Sequence, residues 1–169
     1  MQSQAFFRPS TSWVGDVMPV ERGDELWLFY LNELRQTPKP GTSWSLVRTS
    51  DLVTFADDGV ALAHGDEADV DFNAYTGSVV TGTDGVHHLF YTAQNPRRLD
   101  ANGLPLQLIA HATSTDDMRT WIKQPEHTFG APAGYETADF RDPFVFHDPE
   151  SSVWRMLVAA RHDRGPSRR

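Results

Sequence analysis

The chain has 169 residues, enough for one domain with a real core, and sets 15 Lys plus Arg against 23 Asp plus Glu for a formal net charge of -8. The acidic residues are scattered instead of forming a tail, so the surface repels a nucleic-acid backbone. The absence of cysteine excludes disulfides, thiolate nucleophiles and cysteine-based zinc sites together.

The opening "MQSQAFFRPSTSW" has no basic start followed by an apolar stretch of leader length. No segment approaches the roughly 18 consecutive apolar residues of a membrane helix. The expectation is a cytoplasmic protein with no membrane contact. Helical periodicity is nearly absent, whereas short apolar runs bounded by Gly, Asp, Asn and Pro recur throughout, the pattern of an all-β chain.

The first predicted hairpin is "GDVMPVERGDELWLFYLNELR", followed by a Pro/Gly loop "RQTPKPGTS" and a third strand leading into "TSDLVTF". The same order returns further on. "GSVVTGTDGVHHLFYTAQNPR" repeats the hairpin, with Phe90-Tyr91 in the place of Phe29-Tyr30, and "AHATSTDDMRTW" repeats the turn, with Asp117 aligned on Asp51 and Trp121 on Phe55. A third copy starts at "RDPFVFHDPESSVWRMLVAAR". Four antiparallel strands repeating every ~60 residues is the arithmetic of a β-propeller, whose rings hold ~4 to 8 blades. Blade one is expected over about residues 13–62, blade two over 75–129, and the start of blade three over 140–169.

In a propeller the innermost strands line a central channel, so their starts converge on one rim. Those starts carry Asp16 in "SWVGDVMP", Ser78 in "AYTGSVV", and Arg141 with Asp142 in "DFRDPFVF". Two carboxylates and a guanidinium supply acceptors and donors for sugar hydroxyls, and Trp13, Tyr75 or Phe140 can pack on the apolar side of the ring. Glycosidic cleavage needs one carboxylate as nucleophile or base and a separate carboxylic acid for the leaving oxygen, which acidic side chains alone can provide. The histidines show no metal-ligand spacing, and "TGTDG" and "GAPAG" lead into no helix that could cradle phosphate. His87 and His88 are expected in the middle of a strand.

These residues resemble glycoside hydrolase family 32, over essentially the whole chain. "FRDPFVF" looks like its Arg-Asp-Pro motif and "YTGSVV" its aromatic, Ser/Thr, Gly, Ser motif; "TSDLVTF" and "DDMRTW" are similar to the turns that follow. The resemblance implies a five-bladed propeller acting on sucrose, inulin or levan, with no cofactor and no metal. It makes Asp16 the nucleophile and Asp142 the stabiliser of the transition state through fructose hydroxyls. Arg141 would assist, and Trp13, Tyr75, Ser78 and Phe140 would line the substrate. "WVGDVMP" departs from the family opener, with Gly15 in place of Asn, and Leu31 stands where many members have Gln. The family's general acid/base is a Glu followed by Cys, which a chain without cysteine does not contain. It should lie about one ~60-residue period beyond Asp142. Glu136, read as part of the loop after "APAGY", is the nearest acidic alternative.

The partner is then a fructose-containing oligo- or polysaccharide, and the 169-residue chain alone should turn over negligibly. Two other readings share the architecture: a non-catalytic carbohydrate-binding module, and a five-bladed glycosidase acting on arabinosides. An open propeller also exposes blade edges, which predicts self-association.

Overall fold

The structure, a computed structural model, describes residues 7–163. Residues 164–169, expected at the end of blade three, lie outside that range. Ten strands form three antiparallel sheets among the described residues. The first contains β1 (Ser12–Arg22), β2 (Glu25–Leu34), β3 (Ser43–Thr49) and β4 (Ala56–Leu62) in chain order. The second contains β5 (Asn73–Thr81), β6 (His87–Leu99), β7 (Pro105–Ser114) and β8 (Ile122–Lys123), also in order. The third pairs β9 (Tyr135–Asp148) with β10 (Val153–His162). No helix among the described residues is long and apolar enough to cross a membrane. This is the up-and-down order of propeller blades.

The middle strands carry near-continuous apolar runs because both their faces are covered: in β2 one face meets the second sheet, and on the other Tyr30 packs against Phe7 at 5.7 Å. In β2, Trp27, Phe29, Tyr30 and Leu31 are all buried, where a one-sided strand would alternate. The core lies between the first two sheets and is divided by size. Blade one contributes Phe29, Trp44, Leu46 and Leu62, and blade two answers largely with Ala74, Ala93, Ala110 and Ala112 around Leu89 and Tyr91. Small residues let the second sheet approach the aromatic face of the first, so the two interdigitate at interior density. Phe29 lies 6.1 Å from Trp44 and edge-on to Trp121 at 6.2 Å. Polar bonds fix the junction: Trp44 Nε1 donates to the Tyr75 carbonyl at 3.1 Å, and the Ala74 amide donates to the Thr42 carbonyl at 2.9 Å.

The repeated turn differs from the sequence alignment by one residue. Asp51 accepts the amides of Val53 and Thr54 and the Thr54 hydroxyl, which hold its carboxyl down at about 2. In blade two this work falls to Asp116, which accepts the Thr120 hydroxyl and amide and is likewise lowered to about 2. Asp117 is the additional residue. It sits at φ 64° and pairs with Arg22 of blade one. Two smaller expectations also shift. His87 opens β6 instead of lying mid-strand, because the turn runs through Val86, and Glu136 is the second residue of β9, not of a preceding loop.

Candidate active site

Each innermost strand breaks its ladder beside a candidate residue, and β9 has a second break between Tyr135 and Phe140. In β1, Val14 pairs with Asn32 and Val17 with Tyr30, so Gly15 and Asp16 together oppose Leu31. In β5, Tyr75 pairs with Thr92 and Gly77 with Tyr91, leaving Thr76 as the additional residue. In β9, Phe144 pairs with Leu157 and Arg141 with Ala159, so Asp142 and Pro143 face Val158 together. All three are β-bulges, devices that re-aim side chains at strand ends and beside sites.

Local sequence accounts for them. A Cβ on Gly77 would lie 1.9 Å from the Phe90 carbonyl oxygen, and one on Gly15 would lie 2.9 Å from Leu31 Cβ. Only glycine permits either approach. Asp142 adopts φ 57°, a left-handed conformation that costs about 1–2 kcal/mol for a residue with a side chain.

The bulges meet. Thr76 Oγ1 donates to Asp16 Oδ2 at 2.5 Å, joining blade two to blade one. The Asp142 amide donates to Thr92 Oγ1 at 2.8 Å, and that hydroxyl donates to the Thr76 carbonyl at 3.0 Å. Asp16 and Asp142 therefore share one rim. Burial raises the Asp142 carboxyl above the usual carboxylate range; Arg141 opposes this, while the charges of Asp16 and Asp139 add to it.

Arg141 sits between two acids. Its guanidinium pairs with Asp139, lies 3.6 Å from Asp142 Oδ2 and reaches Gln107 Oε1 at 3.4 Å. Asp139 also pairs with Arg161. Burial pushes Asp139 up, yet the two arginines outweigh it and hold this acid below its ordinary value. Among the described residues no group of three or more His, Asp or Glu side chains is placed to hold a metal ion.

The remaining expected residues divide. Trp13 is 57% exposed, with the Arg35 guanidinium 3.7 Å above its ring. Tyr75 is half-buried against the inter-blade core, and burial raises its phenol. Ser78 and Phe140 are both buried. The buried Ser78 hydroxyl donates to the Pro143 carbonyl and accepts the Val145 amide, both at 2.9 Å, so it fastens β5 to β9. Phe140 is buried edge-on to Phe129 at 6.2 Å. Glu136 lies 3.7 Å from Arg161. Thr76, Thr92 and Asp139 were not anticipated. For Thr76 the available signal was the glycine after it, since glycine inside a strand marks a bulge.

The N-terminal domain model of the glycosyl hydrolases family 32 matches residues 6–167. A fructan 6-exohydrolase of Triticum aestivum is 29% identical over 163 residues, 92% of this chain and 26% of the relative. The insoluble isoenzyme 5 of beta-fructofuranosidase from Oryza sativa subsp. japonica is 29% identical over 91% of this chain and 28% of its own length. Among solved structures, exo-inulinase from Aspergillus awamori superposes with a TM-score of 0.74 at 27% identity, covering 93% of this chain and 35% of that one. Fructan 1-exohydrolase IIa from Cichorium intybus, in complex with 1-kestose, shares the fold at a TM-score of 0.72 and 23% identity, over 94% and 29%. The chain thus spans between about a quarter and a third of these relatives. Its sheets are consecutive blades of the five-bladed propeller that they share, and the chain belongs to glycoside hydrolase family 32, of which it carries the N-terminal part.

Proposed function

We propose that this chain supplies the fructose-binding part of a retaining glycosidase acting on fructosides of the sucrose, inulin or levan type. Asp16 would attack the anomeric carbon, and water would later release the sugar from the covalent intermediate. Asp142, with Arg141 beside it, would hold fructose hydroxyls and strengthen its hold as charge develops on the ring. The observation that carries this reading is the rim itself: two carboxylates from blades one and three, joined through Thr76 and Thr92 of blade two. The names of the relatives, a fructan 6-exohydrolase and a beta-fructofuranosidase, support the substrate class.

A separate acid must protonate the leaving oxygen. Asp139 is held ionised between two arginines, and Glu136 faces Arg161. Neither is suited to donate a proton. The 169-residue chain should therefore bind fructose yet release almost none from sucrose or inulin. Titration with fructose, followed by NMR, should show millimolar binding weakened at least tenfold by Asp142→Ala and by Asp16→Ala. Robust fructose release by the purified chain would show that the acid is present and misassigned. Binding lost in Asp142→Ala but untouched in Asp16→Ala would favour a carbohydrate-binding module without catalysis.

A further inference from the structure

Thr92 lies in the middle of the apolar run "LFYTA" and is fully buried. A buried hydroxyl has to spend its hydrogen bonds inside the protein. This one spends them on two backbone groups from different blades, and both groups belong to bulges. Thr76 is the residue without a partner in the β5–β6 register, and its carbonyl accepts from Thr92 Oγ1 at 3.0 Å. Asp142 shares one opposing residue with Pro143 in the β9–β10 register, and its amide donates to the same oxygen at 2.8 Å. The hydroxyl donates once and accepts once, which is what one O–H group can do.

We propose that Thr92 is a positioning residue that sets the separation of Asp16 and Asp142, by tying the bulge that presents Asp142 to the bulge whose Thr76 side chain grips Asp16. This rests on the reading of the two carboxylates as partners on one sugar. Ser78 provides the contrast. It fastens the same β9 bulge through Pro143 and Val145 but makes no bond to Thr76. Blade docking thus has a second fastener, whereas the link between the two bulges runs through Thr92. Valine at this position would keep the shape and delete both bonds. Serine would keep both bonds and lose a methyl group.

The test is made on the 169-residue chain and needs no turnover. The carboxyl carbon of Asp142 is titrated by 13C NMR, with and without Asp16→Asn, in three backgrounds: wild type, Thr92→Val and Thr92→Ser. Arg141 and Asp139 also face Asp142 and are unchanged throughout. In the wild-type background, Asp16→Asn should lower the Asp142 midpoint by removing a like charge. In Thr92→Val that response should fall by at least half while thermal unfolding stays cooperative, and in Thr92→Ser it should return. A response of equal size in Thr92→Val and wild type would overturn the role of Thr92 alone. No response in wild type would overturn both the role and the functional reading beneath it. Should Thr92→Val not fold, hydrogen exchange in the unaltered chain decides: an Asp142 amide as protected as its strand neighbours supports the bond, and one exchanging at the solvent rate overturns the proposal.

Discussion

Asp142 combines a backbone conformation that a side chain resists, a burial that opposes its charge, and a second carboxylate facing it. Such costs collect where function requires them. Its folded pKa is raised, so the folded chain holds this proton more tightly than the unfolded one, and the penalty is felt above that pKa. Asp142→Asn should therefore unfold at a higher temperature than wild type at pH 7, with the difference shrinking toward pH 4, while fructose binding is lost; calorimetry across pH checks both. Gly77→Ala should behave oppositely. Its Cβ would meet the Phe90 carbonyl at 1.9 Å, so the bulge must shift, costing more than about 3 kcal/mol by urea unfolding. The two acids could be picked out in the sequence by their place in the repeat, and the structure sets Asp16 fifth in β1 and Asp142 eighth in β9, each in a bulge. Ser78 and Phe140 came from the same strand-start reading, which carries no sign that a hydroxyl is spent on a neighbouring strand or that a ring is buried.

At the scale of the element, blade two carries a chain of three imidazoles. His88 Nδ1 lies 3.0 Å from His111 Nε2, and His111 Nδ1 lies 3.0 Å from His127 Nδ1, with Phe90 stacked 4.5 Å from His111. Each contact needs one proton between its nitrogens, so the neutral rings suffice and one further proton fits; a second leaves two donors facing each other. Burial first, then His88 and His127, lowers His111 to about 4 against the opposing charge of Glu126. Asp71 and Lys123, paired with each other, and Arg98 line the same recess. Because the unfolded chain takes up a proton near pH 6.5 that the folded chain refuses until about pH 4, stability should fall across that window as pH drops, by roughly 1–3 kcal/mol. Urea midpoints at pH 7 and pH 5 measure it, and His111→Phe should flatten the dependence. The same blade tests the division of its core by size. Ala112 is fully buried in the same core as Trp44 and Phe29, so Ala112→Leu should cost about 1–3 kcal/mol by overpacking.

Across the whole molecule, the propeller was readable because hairpin, turn and aromatic recur in a fixed order, and that order survives divergence of individual residues. What the repeat could not show was the bonding between blades. Thr76 bonds a side chain and Thr92 a backbone amide in neighbouring sheets, and nothing within one repeat unit announces such a partner. The third sheet leaves Phe144 at 56% and Leu157 at 60% exposure on a two-stranded element. Apolar surface of that kind tends to find a partner. Sedimentation of the 169-residue chain should accordingly show concentration-dependent association, weakened by Leu157→Lys. The central claim is that Asp16 and Asp142 address one sugar, and its most direct measurement is fructose titration of the chain with 13C-labelled aspartate. Both carboxyl signals should move together along one saturation curve. Signals that stay still, or that follow separate curves, would contradict the account.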